Sequence, residues 1–327
     1  MNPLEMTKSL SSRLENYIRE LLPLEKAMPE FSPELDSFYR KNPFADEPFL
    51  EWMPVYEIAK KNGRQGSLRE IAEDGVILPE TAELFAAYFH TAPEKVFLYQ
   101  HQYDALCAYR ENKNIIITTG TGSGKTESFL IPVIDRIFRI KKENPDARGI
   151  KAMILYPMNA LVNDQLQRLR RLLSPAVGNP AYPTIRFGKY TGELEYLASE
   201  KKICDVPQEF QRKFQKLEQE KETLSPYDEF FPIPGEVTRR SEWHENPADI
   251  MITNYSMLEF LLLRPETQRI FESPWHYIVL DEAHCYTGSL GTELAWLLRR
   301  GKRRLNAPKG LRLIAASATL ISDKSKS

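Results

Sequence analysis

Asn114-Ile115-Ile116-Ile117-Thr118-Thr119-Gly120-Thr121-Gly122-Ser123-Gly124-Lys125-Thr126 decides how this chain is read. A short β-branched run ends at a turn in which glycine recurs at alternate positions, and a helical stretch then runs from Lys125 to Ile140. A strand, a glycine-rich loop and a helix in that order form a cradle for a polyphosphate. Without Cβ atoms in the way, backbone N–H groups converge on the anion, and the new helix adds its positive end. Lys125 is placed to reach the β- and γ-phosphates, and the Thr126 hydroxyl to ligate Mg²⁺. The strict pattern has glycine where this chain has Thr119, but Gly120, Gly122 and Gly124 keep the loop flexible. Thr119, Gly120, Thr121, Gly122, Ser123, Gly124, Lys125 and Thr126 are therefore the candidate nucleotide-binding set.

Outward from this loop, short apolar runs alternate with longer helical segments. Strands are expected at 151–156, 184–190, 249–253, 277–280 and 311–315, and helices at 160–173, after Ser256 and after Ser289. That rhythm predicts an α/β fold with a doubly wound parallel sheet. The run Tyr277-Ile278-Val279-Leu280 ends in Asp281-Glu282-Ala283-His284. A nucleotide hydrolase needs one carboxylate at a strand tip to hold Mg²⁺ through its water shell, and a second to activate the attacking water. Asp281 suits the first role and Glu282 the second. Together the two motifs imply ATP and Mg²⁺ chemistry.

At Asp281-Glu282-Ala283-His284 the sequence resembles the first motor domain of superfamily-two helicases of the DEAD/DEAH-box kind, whose fold is a RecA-like P-loop NTPase sheet. Further segments support the resemblance in the family's order. Gln102, in Leu98-Tyr99-Gln100-His101-Gln102, matches the glutamine that reads adenine. An amide both donates and accepts, as pairing with adenine requires. Tyr156-Pro157-Met158-Asn159-Ala160-Leu161, Tyr190-Thr191-Gly192-Glu193 and Ile252-Thr253-Asn254-Tyr255 resemble the nucleic-acid-binding motifs. The resemblance implies that Pro157, Asn159, Thr191, Gly192, Thr253 and Asn254 contact backbone phosphates, which positions a strand without reading its bases. Lys125, Asp281, Glu282 and His284 take the catalytic roles, and Thr126 and Asp281 the metal roles. Ser317 and Thr319, in Ser317-Ala318-Thr319, resemble the motif that couples hydrolysis to domain movement. The wording of Tyr156–Leu161 and of Thr287-Gly288-Ser289-Leu290-Gly291-Thr292-Glu293 is closer to large bacterial DNA helicases of the Lhr and YprA kind, some of which belong to phage-defence systems.

Composition sets the outer bounds. The 327 residues are 42% hydrophobic and 27% charged with a net charge of −1, which excludes a disordered chain and a uniformly basic nucleic-acid coat. Residues 1–97 carry 11 basic and 17 acidic side chains, leaving 33 and 28 for the remainder, so two parts with different work are expected. The first, residues 1–95, reads as a helical, Pro- and aromatic-rich accessory region. The second, 96–327, reads as the motor domain, interrupted at about 195–246 by a charged insertion with a helix near Gln208–Glu218. The basic clusters at Arg139–Lys142, Arg168–Arg171 and Arg299–Arg304 suit nucleic acid as well as ordinary helix ends. Cys107, Cys204 and Cys285 fit no metal spacing, and no apolar run reaches the roughly 18 residues of a membrane span, so a cytoplasmic protein is expected.

The family's second motor domain, with its arginine finger, has no room after Leu320. The expectation is the amino-terminal portion of a larger helicase, or a chain whose other half comes from a second polypeptide. Its expected partners are single-stranded DNA or a tailed DNA duplex, and a second RecA-like motor domain. An RNA helicase domain and a nucleotide- or nucleic-acid-binding module without turnover stay open as alternatives.

Overall fold

The computed structural model describes residues 3–21, 56–61, 64–120, 122–192, 232–305 and 310–318, with isolated positions at 29, 33–34, 37–38 and 194. Thr121, Thr319, the expected insertion helix and the Pro-rich stretch at 42–54 lie outside the described residues. The chain divides into two units, Met1–Val55 and Tyr56–Ser327. The first contributes helix α1, Pro3–Leu21, on which Arg19 pairs with Glu15 one turn away.

The second unit is built on a six-stranded sheet. Its strands are β3 (Ile115–Thr118), β4 (Ala152–Tyr156), β5 (Phe187–Lys189), β6 (Ile250–Asn254), β7 (Tyr277–Leu280) and β8 (Arg312–Ser317). All five pairings are parallel, in the spatial order β3-β8-β7-β4-β6-β5. β4 is buried at every position and β7 at all but its last, as expected of strands covered on both faces. β5 is shorter than the run 184–190, and beyond β6 its other side meets only an isolated parallel bridge from Phe187 to Glu236. A separate pair, β1 (Lys60–Lys61) and β2 (Arg64–Gln65), is antiparallel.

One face of the sheet is covered by α4 (Gln100–Arg110), α5 (Lys125–Glu143) and α6 (Asn159–Leu173). The other is covered by α7 (Arg240–Glu245), α8 (Tyr255–Leu263) and α9 (Gly288–Arg304). Each of α5, α6 and α9 turns a stripe of Ile, Leu and Phe inward at helical spacing and ends in basic residues, which complement the negative helix end. Among the described residues no helix is long and apolar enough to cross a membrane.

The unit that contains the sheet begins at Tyr56, not at residue 96. Helices α2 (Leu68–Glu73) and α3 (Pro79–Tyr88) insert Leu68, Ile71, Leu84 and Phe85 into the same core as Ile115 and Ile137. Burying each such side chain contributes roughly 1.5–3 kcal/mol. A capping box opens α2: Ser67 accepts from the Glu70 N–H while the Glu70 carboxylate accepts from the Ser67 N–H. The tie is also polar. Asp135 of α5, fully buried, accepts from Leu78 N at 2.6 Å, Thr81 Oγ1 at 3.1 Å, Tyr109 OH at 2.8 Å and Arg139 Nε at 2.7 Å.

Candidate nucleotide and nucleic-acid sites

Parallel register brings the motif residues to one edge of the sheet. Thr118 of β3 lies opposite Ser317 of β8, Leu280 of β7 opposite Leu155 of β4, and Tyr156 of β4 opposite Asn254 of β6. Every motif strand therefore ends on the same rim. Spatial order along that rim runs from the glycine loop through Ser317, Asp281 and Pro157 to Asn254 and Thr191. The nucleotide candidates occupy one half and the nucleic-acid candidates the other. Clefts at this rim, where strand order departs from chain order, are where open α/β sheets bind ligands.

The glycine loop is held by its surroundings. Gly124 is left-handed, with φ +73°, and forms the N-cap of α5. A Cβ built there would approach Gln102 Nε2 to 2.5 Å, so glycine is required by conformation, and a larger residue would displace the Gln102 amide. Gln102, buried on α4, donates to Gly124 O at 2.9 Å and accepts from Tyr99 N at 2.9 Å. One N–H and one lone pair of its amide are still available. Lys125 Nζ donates to Thr119 O at 2.9 Å and Gly120 O at 2.8 Å, while Thr119 and Ser123 hydroxyls meet at 2.6 Å.

Next to this loop is a cavity of about 420 Å³ lined by Lys125, Thr126, Tyr156, Asp281 and Glu282, among others. Asp281 is buried at the tip of β7, and burial pushes its carboxyl above the ordinary 3.8. The adjacent Glu282 charge adds to this, while the Glu282 N–H, donating to Oδ1 at 2.9 Å, and Lys125 oppose it. Glu282 is left-handed without being glycine, at φ +49°, a strained conformation that turns the chain sharply off the strand. His284 Nδ1 lies 3.4 Å from Glu282 Oε2. The Tyr156 hydroxyl, fully buried, is directed at the Asp281 carboxylate, which it helps to keep ionised.

On the other half of the rim, Asn254 caps α8 by accepting from Met257 N at 2.7 Å and donates to Asn159 Oδ1 at 2.6 Å, which links two of the motifs. Thr191 Oγ1 is buried and has no partner among the described residues, whereas Gly192 is exposed and Pro157 half-buried. Thr253 is fully buried and donates to Tyr190 O at 2.6 Å, so it supports the Tyr190-Thr191 turn from beneath instead of facing outward. Among the described residues no group of three or more His, Cys, Asp and Glu could hold a metal ion by itself. The Thr126 and Asp281 pair suits an ion that shares its ligands with phosphate and water. Sequence reasoning missed Tyr156, Gln165 and Arg168 as cavity-lining residues. Their α-helical and strand spacing signals only burial, and their meeting with the loop is tertiary.

Comparison with known proteins agrees with this geometry. The chain is similar to Druantia protein DruE of Escherichia coli (strain UMEA 4076-1), with 29% identity over 97% of this chain and 20% of the relative. It is similar to the helicase YprA of Bacillus subtilis, with 26% identity over 63% of this chain and 20% of that one. The chain thus spans about a fifth of the length of these relatives. Among solved structures, the helicase MrfA bound to DNA and AMPPNP aligns with a TM-score of 0.53 at 21% identity, covering 90% of this chain and 32% of that one. The DEAD-box helicase Mss116 bound to ssRNA and UDP-BeF aligns with a TM-score of 0.53 at 18% identity, covering 79% and 42%. These two likenesses speak for the fold. The family of DEAD/DEAH box helicases matches over residues 99–225 and 196–327, the span that contains the glycine loop, the acidic strand tip and the rim motifs. The chain belongs to the DEAD/DEAH box helicase family.

Proposed function

We propose that this chain is the ATP-binding motor domain of an ATP-dependent DNA helicase or translocase, completed by a second RecA-like motor domain. The observation that carries this reading is the shared rim, with a phosphate cradle and acidic pair at one end and the Asn159–Asn254 link at the other. In this reading the Gly122 and Gly124 N–H groups and Lys125 bind the phosphates, Lys125 exchanging the Thr119 and Gly120 carbonyls for them. The site fits a bound nucleotide, since a Cβ at Gly124 would fill the close approach of the loop to Gln102. Gln102 offers its spare donor and acceptor to adenine. Thr126 ligates Mg²⁺ directly and Asp281 through water. Mg²⁺, when bound, neutralises charge on the phosphates. Glu282, fixed by its left-handed turn, takes the proton from the attacking water. Ser317 and Thr319 relay the state of the site to the second domain, and His284 belongs to the catalytic set.

Asn159, Thr191, Gly192 and Asn254, with Pro157 shaping the turn and Thr253 supporting it, hold the backbone of a single strand. Phosphate contacts do not distinguish the sugars. DNA is favoured by the likeness to MrfA, bound to DNA in its structure, which extends over 90% of this chain. A cytoplasmic location belongs to the same proposal.

The test is calorimetric binding of Mg²⁺-AMPPNP to the chain and to its Lys125→Ala variant. Wild type binds, and removal of the phosphate-facing cation abolishes binding. Equal affinities would overturn the assignment.

A further inference from the structure

The nucleotide cavity contains a cation that none of the family motifs accounts for. Arg168, on α6, lines it together with the glycine loop, Tyr156 and the Asp281–Glu282 pair. Its nearest carboxylate is Glu127, with Nη1 3.8 Å from Oε1, beyond hydrogen-bonding reach. The same helix offers a comparison. Arg170, two residues on, grips Glu236 in a bidentate pair at 2.7 and 2.8 Å. That is how a structural arginine pair is built in this protein. Arg168 is held differently: among the described residues it makes no hydrogen bond, although a guanidinium has five donors to place.

Its electrostatic setting points the same way. Glu127 is in the first turn of α5, directly after Lys125 and Thr126, and its side chain is 12% exposed. A carboxylate so close to the phosphate cradle repels a polyanion unless a cation offsets it. The fully buried Tyr156 hydroxyl, which also lines the cavity, faces Asp281 and feels the Arg168 charge. Arg168 of α6 therefore brings donors without hydrogen bonds to the cavity that Asp281 and Glu282 also line.

We propose that Arg168 reads the terminal phosphate of a nucleoside triphosphate, so that this domain discriminates triphosphate from diphosphate by itself. The inference rests on the nucleotide-site reading above. Glu127 keeps the guanidinium at the wall, and the terminal phosphate, a better acceptor with matching fork geometry, takes it over.

The experiment measures affinities for Mg²⁺-AMPPNP and Mg²⁺-ADP by calorimetry, on wild type, Arg168→Ala, Arg168→Lys and Glu127→Gln. Arg168→Ala weakens AMPPNP about tenfold or more, as expected for loss of a charge-assisted contact, and leaves ADP within about twofold. Arg168→Lys recovers part of the preference as a point charge without the fork. The ratio of the two affinities on one sample is independent of the folded fraction, so partial unfolding does not obscure the result. Equal weakening of both nucleotides, reversed by adding Glu127→Gln, would make Arg168 a mere neutraliser and overturn the proposal. Unchanged affinities in Arg168→Ala would overturn it too. Failure of the wild type to bind either nucleotide would overturn the nucleotide-site reading and this inference together.

Discussion

Replacing Asp135 by alanine removes one acceptor from four donors at once. Leu78 N, Thr81 Oγ1, Tyr109 OH and Arg139 Nε all converge on a carboxylate with no exposed surface. A buried polar group left without a partner costs roughly 1–3 kcal/mol. Three neutral donors and one charge are orphaned, but Arg139, 32% exposed, regains water, so the four costs do not simply add. Breaking a buried, hydrogen-bonded ion pair typically costs about 3–5 kcal/mol, and about 4 is expected here. For a unit of this size each kcal/mol lowers the melting temperature by about 2–4 °C, so the midpoint falls by about 8–16 °C. Differential scanning calorimetry on wild type, Asp135→Ala and Asp135→Asn reads the effect, with Asn intermediate because its carbonyl still accepts from Leu78 and Thr81. Hydrogen exchange should show α3 losing protection first, since Asp135 is its polar anchor to α5. A fall below about 2 °C would refute the reasoning and mean that apolar packing alone holds residues 78–81 in place.

Gly124→Ala forces a Cβ to within 2.5 Å of Gln102 Nε2 at φ +73°, so nucleotide affinity falls about tenfold or more with the fold intact by circular dichroism; unchanged affinity would contradict the geometry. Burial, helped by the charges of Arg136 and Lys151, pushes the His276 imidazole below the ordinary 6.5 to about 4. The unfolded chain therefore takes up that proton first as the solution is acidified. Stability is full above pH 6.5 and declines as the pH falls towards 4, and His276→Asn removes this part of the slope of urea midpoint against pH. Identical slopes in both proteins would disprove the assignment. In a polypeptide extended to include a second motor domain, Glu282→Gln keeps nucleotide binding and loses about a hundredfold or more in single-turnover hydrolysis, because an amide cannot accept the proton; near-normal turnover would point to another base.

Much of the sheet was legible in the chain because parallel strands covered on both faces must be short, continuous apolar runs, and Ala152–Tyr156 and Tyr277–Leu280 have few alternatives. Glycine at alternate positions before Lys125 is equally hard to read otherwise. The boundary at residue 95 follows a change in charge density, whereas the core follows apolar side chains, and Leu68, Ile71, Leu84 and Phe85 join the sheet regardless of the acidic residues around them. Asp135 gives no sign in the sequence of its burial, since a charge on an amphipathic helix is ordinarily solvated. Thr253 looks like a strand-end hydroxyl available to a ligand. Its burial depends on β5 and β6 being neighbours, which spacing along the chain does not reveal. Arg168 was legible only as part of a basic cluster: its approach to Glu127, on another helix, is tertiary.

Among the described residues, the strand that carries the glycine loop stands at the margin of the sheet, with β8 beside it and no strand beyond. Its last ladder contact continues directly into the loop, where Thr119 N donates to Ser317 O at 3.4 Å. A strand gripped along one side tilts and slides at lower cost than one gripped along both. Its ladder partner among the described residues is β8, which ends at Ser317. No side chain intervenes between the two, so no rotamer can absorb the motion. A displacement of β8 is passed to the first residue of the loop, and a change in the loop is returned to β8, through this backbone hydrogen bond, as between two toothed racks in mesh.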